Sequence, residues 1–380
     1  MQSTKIFENA RIVLPAAVIE GWVAIGGEHI LEVGEGRAPE RGIDCSGDLI
    51  VAGLIELHTD HLENHLRPRP KVAWPPVAAV VAYDAQIAAS GITTVFDSVR
   101  VGSDAGYHSV AAELTSVLGA IDTARTEGLL RADHRLHLRC EICADDVVEQ
   151  TAWLLDSYDT DLISLMDHTP GARQFCDVGA WKTYYGGKLS LPDAELERIM
   201  VSRREQFTAN YQRHRVRLVA LAKASAVVTA SHDDATPAHV AESIADGAAI
   251  AEFPTTVEAA AASHRAGIAV LMGAPNVVRG GSHSGNVAAE ALAREGVLDI
   301  LSSDYVPASL LMGAFDLARR IDGYGLPAAL RTVTLHPAAA TGLHDRGQIA
   351  AGLRADLARV HVVGDLPVVR EVYRGGRRII

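Results

Sequence analysis

The sequence predicts an α/β protein built around a (β/α)8 TIM barrel, with a small β-sandwich formed by both chain ends. Three observations predict this fold. Apolar strands alternate with helical segments eight times in the middle of the chain, short strands and glycine turns fill both ends, and acidic or histidine residues follow nearly every middle strand. We therefore predict a composite β-sandwich domain of residues 1–48 plus 345–380 and a barrel domain of residues 49–344.

The two chain ends carry the same pattern of short strands separated by glycine pairs such as Gly26-Gly27 and Gly375-Gly376. The strands of these ends are predicted at residues 6–13, 21–25, 30–34, 358–363 and 368–373. Two β-rich ends that flank a long α/β segment are expected to pair with each other, so we assign them to one small sandwich.

The middle of the chain contains eight apolar runs rich in Val, Ile and Leu. These predicted strands lie at residues 49–57, 93–99, 136–142, 162–166, 226–231, 248–253, 269–273 and 300–303. Helical segments between them are predicted at residues 77–89, 107–127, 193–222, 237–245, 257–266 and 287–295. Because the strands do not alternate apolar and polar residues, they are typical of a parallel sheet covered on both faces. A doubly wound sheet is the alternative, but no glycine-rich fingerprint opens a first helix.

Composition limits the classes of partner. The chain has 380 residues, 48% hydrophobic and 22% charged, and a formal net charge of −12, which argues against general binding of nucleic acid. No apolar run reaches the roughly 18 residues that suggest a membrane span, and the first residues do not resemble a signal peptide. The four scattered cysteines, which include the Cys140 and Cys143 pair, indicate neither a disulfide framework nor a redox or zinc motif. We expect a cytoplasmic protein with no membrane partner, and a homodimer is a fair expectation for such an enzyme.

Side chains that can bind a metal ion follow the predicted strands. Because carboxyl ends of barrel strands converge on one mouth, these side chains should meet there. They are His58 and Asp60, Asp97, Glu141, Asp167 and His168, His232 with Asp233 and Asp234, Glu252, Asn276 and Asp304. Mixed imidazole and carboxylate ligands suit Zn²⁺, Mn²⁺ or Fe²⁺ better than Ca²⁺. The sequence thus predicts metal-assisted hydrolysis, with Asp304 as both metal ligand and catalytic base; a structural cap is the alternative for Asp304.

Cationic and hydroxyl side chains form a second set of candidates. The loop Arg279-Gly280-Gly281-Ser282-His283-Ser284-Gly285-Asn286 precedes a predicted helix, and such loops bind phosphate. Further cations lie beyond the first strand and near the aromatic segment 181–185. We predict substrate-binding roles for Arg67, Arg69, Arg173, Lys182, Lys188, Arg279, Ser282, His283 and Asn286. A solvated loop is the alternative for the first-strand cations, and core packing is the alternative for the aromatic residues.

Two stretches resemble the amidohydrolase superfamily. Val51-Ala52-Gly53-Leu54-Ile55-Glu56-Leu57-His58 is similar to its first strand, and the segment from His336-Pro337-Ala338 to Asp356-Leu357 is similar to its return into the small sandwich. The resemblance covers both ends and the barrel, and it implies a TIM barrel of the amidohydrolase type.

Within that superfamily, longer stretches resemble the diphosphatases of the carbon–phosphorus lyase pathway for phosphonate use. These stretches are His58-Thr59-Asp60 with Arg67-Pro68-Arg69-Pro70, Arg139-Cys140-Glu141, Leu165-Met166-Asp167-His168-Thr169-Pro170-Gly171, Ser231-His232-Asp233-Asp234-Ala235-Thr236, and Met272-Gly273-Ala274-Pro275-Asn276 with the Arg279 loop. The resemblance implies hydrolysis of α-D-ribose 1-methylphosphonate 5-triphosphate to the 5-phosphate and pyrophosphate. A small anionic triphosphate would also account for the cation clusters.

The resemblance also implies a metal centre that departs from the superfamily pattern. The usual His-x-His of the first strand is His58-x-Asp60 here, and no lysine ends the fourth predicted strand, so Glu141 is the candidate for the bridging ligand. The expected ligands are His58, Asp60, Glu141, His168, His232 and Asp304, with Asp167 and Asp233 left open as neighbours of the direct ligands. An added carboxylate favours Mn²⁺ or Mg²⁺ over Zn²⁺ or Fe²⁺, as one ion or two.

Two other functions stay open from the sequence. The first is an enzyme with the same barrel that hydrolyses a C–N bond, such as an amidase, deacetylase or deaminase. The second is a binding or assembly protein without catalysis. Such a protein would be expected to lose the polar residues at the strand ends, and this sequence has them, which argues against it. The sequence does not decide whether water attacks the α or the β phosphorus.

Overall fold

A computed structural model describes residues 4–103, 110–175, 178–189, 192–282 and 285–380. Its strands form two sheets of eight strands each, one parallel and one mixed. The mixed sheet contains β1 (Lys5–Val13), β2 (Val18–Gly26), β3 (His29–Glu35), β4 (Ile43–Asp44), β5 (Leu49–Ala52), β14 (Leu357–Val363), β15 (Leu366–Arg374) and β16 (Arg377–Arg378). The parallel sheet contains β6 (Leu54–Thr59), β7 (Ile92–Val101), β8 (Asp133–Glu141), β9 (Thr160–Met166), β10 (Val228–His232), β11 (Ile250–Glu252), β12 (Ala269–Gly273) and β13 (Ile300–Ser302).

The parallel sheet follows the order of the chain from β6 to β13 and closes on itself. A parallel bridge between Thr59 and Asp304 joins its first and last strands, and the Asp304 amide donates to the His58 carbonyl at 3.2 Å. The Glu56 carboxylate lies inside this seam and accepts from the His58 amide at 2.7 Å and the Ser303 amide at 2.5 Å. The predicted (β/α)8 barrel is therefore confirmed, and its seam lies next to the strand ends that carry the site.

The apolar runs of the barrel strands are buried on both faces. Leu54, Ile55 and Leu57 are all fully buried although they are close neighbours in β6. Ile55 and Leu57 belong to the cluster inside the barrel, and Leu54 belongs to the cluster between the barrel and its helices. This double burial explains why the strand sequences do not alternate, as expected for a parallel sheet covered by helices.

The mixed sheet joins the two ends of the chain. Its order is β16-β15-β14-β5-β1-β2-β3, with β4 paired to β1, and the antiparallel β14–β5 contact brings the C-terminal hairpin onto the N-terminal strands. The strand predicted at residues 49–57 is divided at Gly53: β5 belongs to this sheet and β6 to the barrel. The small β-structure built from both ends is thus present, and the chain passes from it into the barrel within one residue.

The helices surround the barrel and fill the connections between its strands. They are α1 (Leu62–Leu66), α2 (Pro76–Ala89), α3 (Val110–Thr126), α4 (Val147–Ser157), α5 (Val178–Leu189), α6 (Asp193–Ala224), α7 (Pro237–Asp246), α8 (Val257–Arg265), α9 (Ala274–Arg279), α10 (Ala289–Arg294), α11 (Ser309–Arg320), α12 (Leu326–Arg331) and α13 (Leu335–Ala340). The start predicted for the helix at residue 107 lies outside the described residues. Among those residues, no helix is both long and apolar enough to cross a membrane.

Candidate metal centre and anion-binding cavity

A cavity of about 690 Å³ opens at the carboxyl ends of the barrel strands. Its lining combines metal-type ligands, four arginines and an apolar wall. The histidine and aspartate residues in the lining are His58, Asp60, His168, His232, Asp233 and Asp304. The predicted convergence of the strand ends is therefore observed for these residues, and of the neighbours Asp167 and His168 only His168 lines the cavity.

Glu252, the last residue of β11, holds two of the histidines. Its Oε1 lies 2.9 Å from His58 Nδ1 and its Oε2 lies 3.1 Å from His232 Nδ1. Burial opposes ionisation of Glu252, but the charges of His58 and His137 and hydrogen bonds from His232 and His58 hold its pKa well below the usual range. Because the carboxylate engages both Nδ1 atoms, the Nε2 atoms of His58 and His232 are left for a metal ion, as in many metal-bound histidines.

Glu141, the last residue of β8, holds the third histidine in the same way. Its Oε2 lies 2.7 Å from His168 Nδ1 and accepts from Arg100 Nη2 at 2.7 Å, while its Oε1 accepts from the His168 amide at 3.1 Å. Both carboxylate oxygens thus have protein donors. These contacts suit an orienting role behind His168, and the role of Glu141 as a metal ligand stays a prediction from the sequence.

Asp233 follows directly after β10 and turns a carboxylate oxygen toward the histidines. Its Oδ2 is buried and has no hydrogen-bond partner among the residues that the structure describes. This oxygen lies 3.4 Å from His232 Nε2 and 4.0 Å from His168 Nε2. Burial raises the pKa of Asp233, an effect that the charges of His232 and His168 oppose. A buried carboxylate oxygen without a donor, facing two imidazole nitrogens, fits a divalent cation.

Ligand-type atoms are close enough for one ion to bridge them. His168, His232 and Asp233 each offer an atom within 4.8 Å of the others, and His58, His232 and Glu252 form an overlapping group of the same size. In the second group the Glu252 oxygens are engaged by the two Nδ1 atoms. We therefore regard the first group, extended by His58, as the better match to a metal centre.

Asp304 lines the same cavity as Asp233 and is half-buried. Burial and the charge of Asp60 raise the pKa of Asp304 to about 7, although Arg139 and His232 act in the opposite direction. Its main chain is fixed to β6, because Thr59 Oγ1 donates to the Asp304 carbonyl at 2.7 Å. Asp60 itself is partly exposed, and its Oδ2 lies 3.5 Å from Arg139 Nη1.

Three residues that follow barrel strands adopt a left-handed backbone. The φ angles are +57° for Asp233, +53° for Phe253 and +53° for Asp304. This conformation is tolerated by Asp but is costly for a bulky residue such as Phe, and strained backbones of this kind gather at functional sites. In the two aspartates it accompanies side chains that line the cavity.

The structure brings several predicted substrate-binding residues to the cavity. Arg67, Arg279, Ser282 and Asn286 are part of its lining. Arg67 and Arg279 are exposed at the rim, and Arg67 forms an ion pair with Glu113. His283 lies outside the described residues, as does the side chain of Lys188.

Three other predicted cations lie elsewhere. Arg173 is buried and forms ion pairs with Asp234 and Glu242, so its contacts support the packing of α6 and α7. Lys182 pairs with Glu197, and Arg69 is exposed on the loop after α1. None of the three lines the cavity in the part of the chain that the structure describes. Arg173 and Lys182 are instead engaged by carboxylates outside the cavity lining.

Sequence reasoning missed two cavity arginines that lie within strands. Arg100 of β7 and Arg139 of β8 are paired directly across the parallel sheet and both line the cavity. An arginine near the carboxyl end of a predicted barrel strand was the available signal. Arg139 and Glu141 also have the spacing of two residues that places side chains on the same face of a strand.

The chain was compared with known proteins. No family model matches it. Over 377 residues the chain is 45% identical to the α-D-ribose 1-methylphosphonate 5-triphosphate diphosphatase of Escherichia coli (strain K12), a match that covers 98% of this chain and 100% of that protein. Solved structures with the same fold include 5-methylcytosine deaminase from Klebsiella pneumoniae, with TM-score 0.66, 15% identity and coverage of 99% of this chain and 97% of that one. Another is N-isopropylammelide isopropylaminohydrolase from Burkholderia multivorans, with TM-score 0.65, 18% identity and coverage of 99% and 98%.

The barrel and the sheet built from both chain ends are the fold of these solved structures, and a cluster of histidine and carboxylate groups that could hold a metal ion lies at the barrel strand ends. Within this fold, full-length identity of 45% determines the assignment. The chain belongs to the family of the α-D-ribose 1-methylphosphonate 5-triphosphate diphosphatases.

Proposed function

We propose that this protein hydrolyses α-D-ribose 1-methylphosphonate 5-triphosphate to the 5-phosphate and pyrophosphate, with the help of a divalent metal ion. The observation that carries the proposal is the 45% identity to a diphosphatase of that name along the whole of both chains. The structure supports it with a cavity at the carboxyl ends of the barrel strands, where a cluster of possible metal ligands lies beside four arginines.

The metal would be held by His58, His168, His232 and Asp233. Glu252 and Glu141 would keep the imidazole rings in position through their Nδ1 atoms. A bound divalent ion supplies Lewis acidity, which polarises a phosphoryl oxygen and makes water a better nucleophile. Asp304 lines the same cavity and would take the proton from the attacking water as a general base.

The ligand set bears on the identity of the ion. Mg²⁺ prefers oxygen ligands and keeps several waters, whereas Mn²⁺, Fe²⁺ and Zn²⁺ accept imidazole readily. The sequence favoured Mn²⁺ or Mg²⁺, and of these two ions a set of three histidines and one carboxylate suits Mn²⁺ better. Zn²⁺ and Fe²⁺ remain compatible with the same atoms.

The size and charge of the cavity match a sugar triphosphate. Its volume of about 690 Å³ lies inside the range of roughly 300–1,000 Å³ that is usual for small-molecule sites. Arg67, Arg100, Arg139 and Arg279 contribute positive charge to the lining. Arginine forms bidentate hydrogen bonds with phosphate oxygens, so this composition suits a triphosphate better than a neutral amide or a nucleobase.

The proposal is tested by measuring pyrophosphate release before and after metal removal. Protein treated with a chelator should lose the release of pyrophosphate, and Mn²⁺ should restore it. Ammonia release from cytosine-type substrates serves as the counter-assay for the deaminase alternative. Ammonia production, together with an untouched triphosphate, would replace the proposal by C–N bond hydrolysis. A cytoplasmic location and a homodimeric state stay predictions from the sequence.

A further inference from the structure

We propose that Arg100 and Arg139 form an inner phosphate subsite on the floor of the cavity, and that this pair selects for a polyphosphate substrate. The inference rests on the proposed function and names the residues of the same site that recognise the substrate. It differs from the sequence expectation, which placed phosphate recognition on the Arg279 loop and on the cations after the first strand.

The first step is the placement of the two arginines. They are direct partners across neighbouring parallel strands, β7 and β8, so their Cα atoms lie about 4.8 Å apart and their side chains leave the same face. Both side chains line the cavity. Like charges that stand opposite each other on a sheet are destabilising. An anion bound between the two guanidinium groups would relieve that repulsion.

The second step is the charge that faces each arginine. Arg100 Nη2 lies 2.7 Å from Glu141 Oε2, but the same oxygen also lies 2.7 Å from His168 Nδ1. Arg139 Nη1 lies 3.5 Å from Asp60 Oδ2, which is a loose ion pair. Arg139 Nε is buried and has no hydrogen-bond partner among the described residues. Arg139 therefore has donor capacity for an incoming oxyanion, and Arg100 adds a second positive charge beside it.

The third step is the contrast between the floor and the rim. The side chains of Arg100 and Arg139 are 18% and 16% exposed, whereas the Arg67 side chain is 60% exposed. Charged contacts at an exposed rim are screened by water and salt, and those in an enclosed site are stronger. The inner arginines should therefore contribute more to affinity than the rim arginines.

The fourth step is the position of the subsite next to the metal-type cluster. Asp60, which pairs with Arg139, belongs to the same first-strand segment as His58, and Glu141, which pairs with Arg100, orients His168. A phosphate held by the two arginines would thus lie beside the histidines and Asp304. Phosphates at this place would be those next to the bond that is cleaved, which accounts for selection of a polyphosphate over a single phosphate.

The test uses metal-loaded protein and inorganic pyrophosphate as the probe, with binding measured by calorimetry. Arg139→Gln and Arg100→Gln should each raise the Kd for pyrophosphate by roughly tenfold or more, and Arg139→Lys by less, because lysine keeps the charge but loses the fork of donors. Arg135→Gln is the matched control: it removes an arginine from the opposite end of β8, where the side chain pairs with Asp161. This variant should bind pyrophosphate as the unchanged protein does.

Metal content and thermal unfolding are measured on every variant. A raised Kd with unchanged metal content supports the subsite. An unchanged Kd in Arg139→Gln and Arg100→Gln would overturn it, and so would a loss of metal that parallels the loss of binding, because the arginines would then act on the metal ligands. Turnover of the ribose triphosphate is scored separately. Arginine-dependent pyrophosphate binding without turnover would reject the proposed function and leave the subsite standing.

Discussion

At the scale of single residues, the site depends on pairs in which one side chain fixes another. Glu252 contacts the Nδ1 atoms of His58 and His232, and Glu141 contacts that of His168. The sequence predicted that these histidines and Asp304 would meet, because strand ends converge in a barrel. It could not predict that the glutamates stand behind the histidines, since that depends on the direction of each side chain.

Glu252→Gln tests this orienting role. Glutamine offers one carbonyl oxygen, so it can accept from only one of the two imidazoles, and its amide group would face the other. We expect metal affinity to fall by about 10–100-fold, as for other changes behind metal-bound histidines. Metal competition with a chelator measures the change, and Glu290→Gln, on α10 and outside the cavity lining, is the control. Equal metal affinities in Glu252→Gln and the unchanged protein would show that the carboxylate does not position the ligands.

Asp304→Asn tests the catalytic base. The amide cannot take a proton from water, so kcat for pyrophosphate release should fall by about 10²–10⁴-fold. Asp365→Asn, which changes an exposed carboxylate in the turn between β14 and β15, should keep full activity. Steady-state kinetics on folded protein measures both, and an Asp304→Asn variant with near-normal kcat would remove Asp304 from the base position.

At the scale of secondary-structure elements, the junction between the two sheets is the most constrained place. Gly53 separates β5 from β6, and its amide donates to the Asp356 carbonyl at 2.8 Å. The sequence predicted one strand here, because residues 49–57 form a continuous apolar run. Hydrophobic pattern does not reveal that two halves of such a run enter different sheets. Elsewhere the predicted barrel strands agree with the structure to within a few residues, because each run is buried on both faces.

Gly53→Ala tests the junction. A Cβ at this position would lie 2.2 Å from Thr93 Oγ1 and 2.5 Å from Thr93 Cγ2, and Thr93 is fully buried. Overpacking of this kind costs about 1–3 kcal/mol. Urea unfolding should therefore show a lower midpoint for Gly53→Ala, while Gly119→Ala, in α3 and with no atom within 4 Å of the added Cβ, is a control that should not lower the midpoint. A Gly53→Ala variant as stable as the unchanged protein would mean that the strands can separate at little cost.

At the scale of the whole molecule, buried charges tie the barrel to its outer helices. His134 of β8 lies 2.8 Å from Asp97 of β7 and 3.2 Å from Asp84 of α2. Burial alone would lower the pKa of His134, but the charges of Asp97 and Asp84 outweigh it and raise the pKa to about 9. Contacts of this kind join segments far apart in the chain. For the same reason the sequence did not reveal the partners of Arg173, which are Asp234, just after the fifth barrel strand, and Glu242 on α7.

The raised pKa of His134 predicts how stability depends on pH. The folded protein holds this proton more tightly than the unfolded chain, whose histidines titrate near 6.5. The stabilisation is complete below about pH 6.5 and is lost as pH rises through about 9, by up to about 3 kcal/mol. Urea unfolding between pH 6 and 9.5 measures it, and His134→Gln should remove this part of the pH dependence. Identical pH profiles for the two proteins would contradict this assignment.

The whole account centres on cleavage of a triphosphate at the mouth of the barrel. Phosphorus NMR of the Mn²⁺-loaded protein with α-D-ribose 1-methylphosphonate 5-triphosphate tests it most directly, because every phosphorus atom is followed at once. The triphosphate resonances should give way to pyrophosphate and a 5-phosphate, with the methylphosphonate resonance retained. Orthophosphate with a 5-diphosphate, or an unchanged triphosphate in the presence of folded, metal-loaded protein, would contradict it.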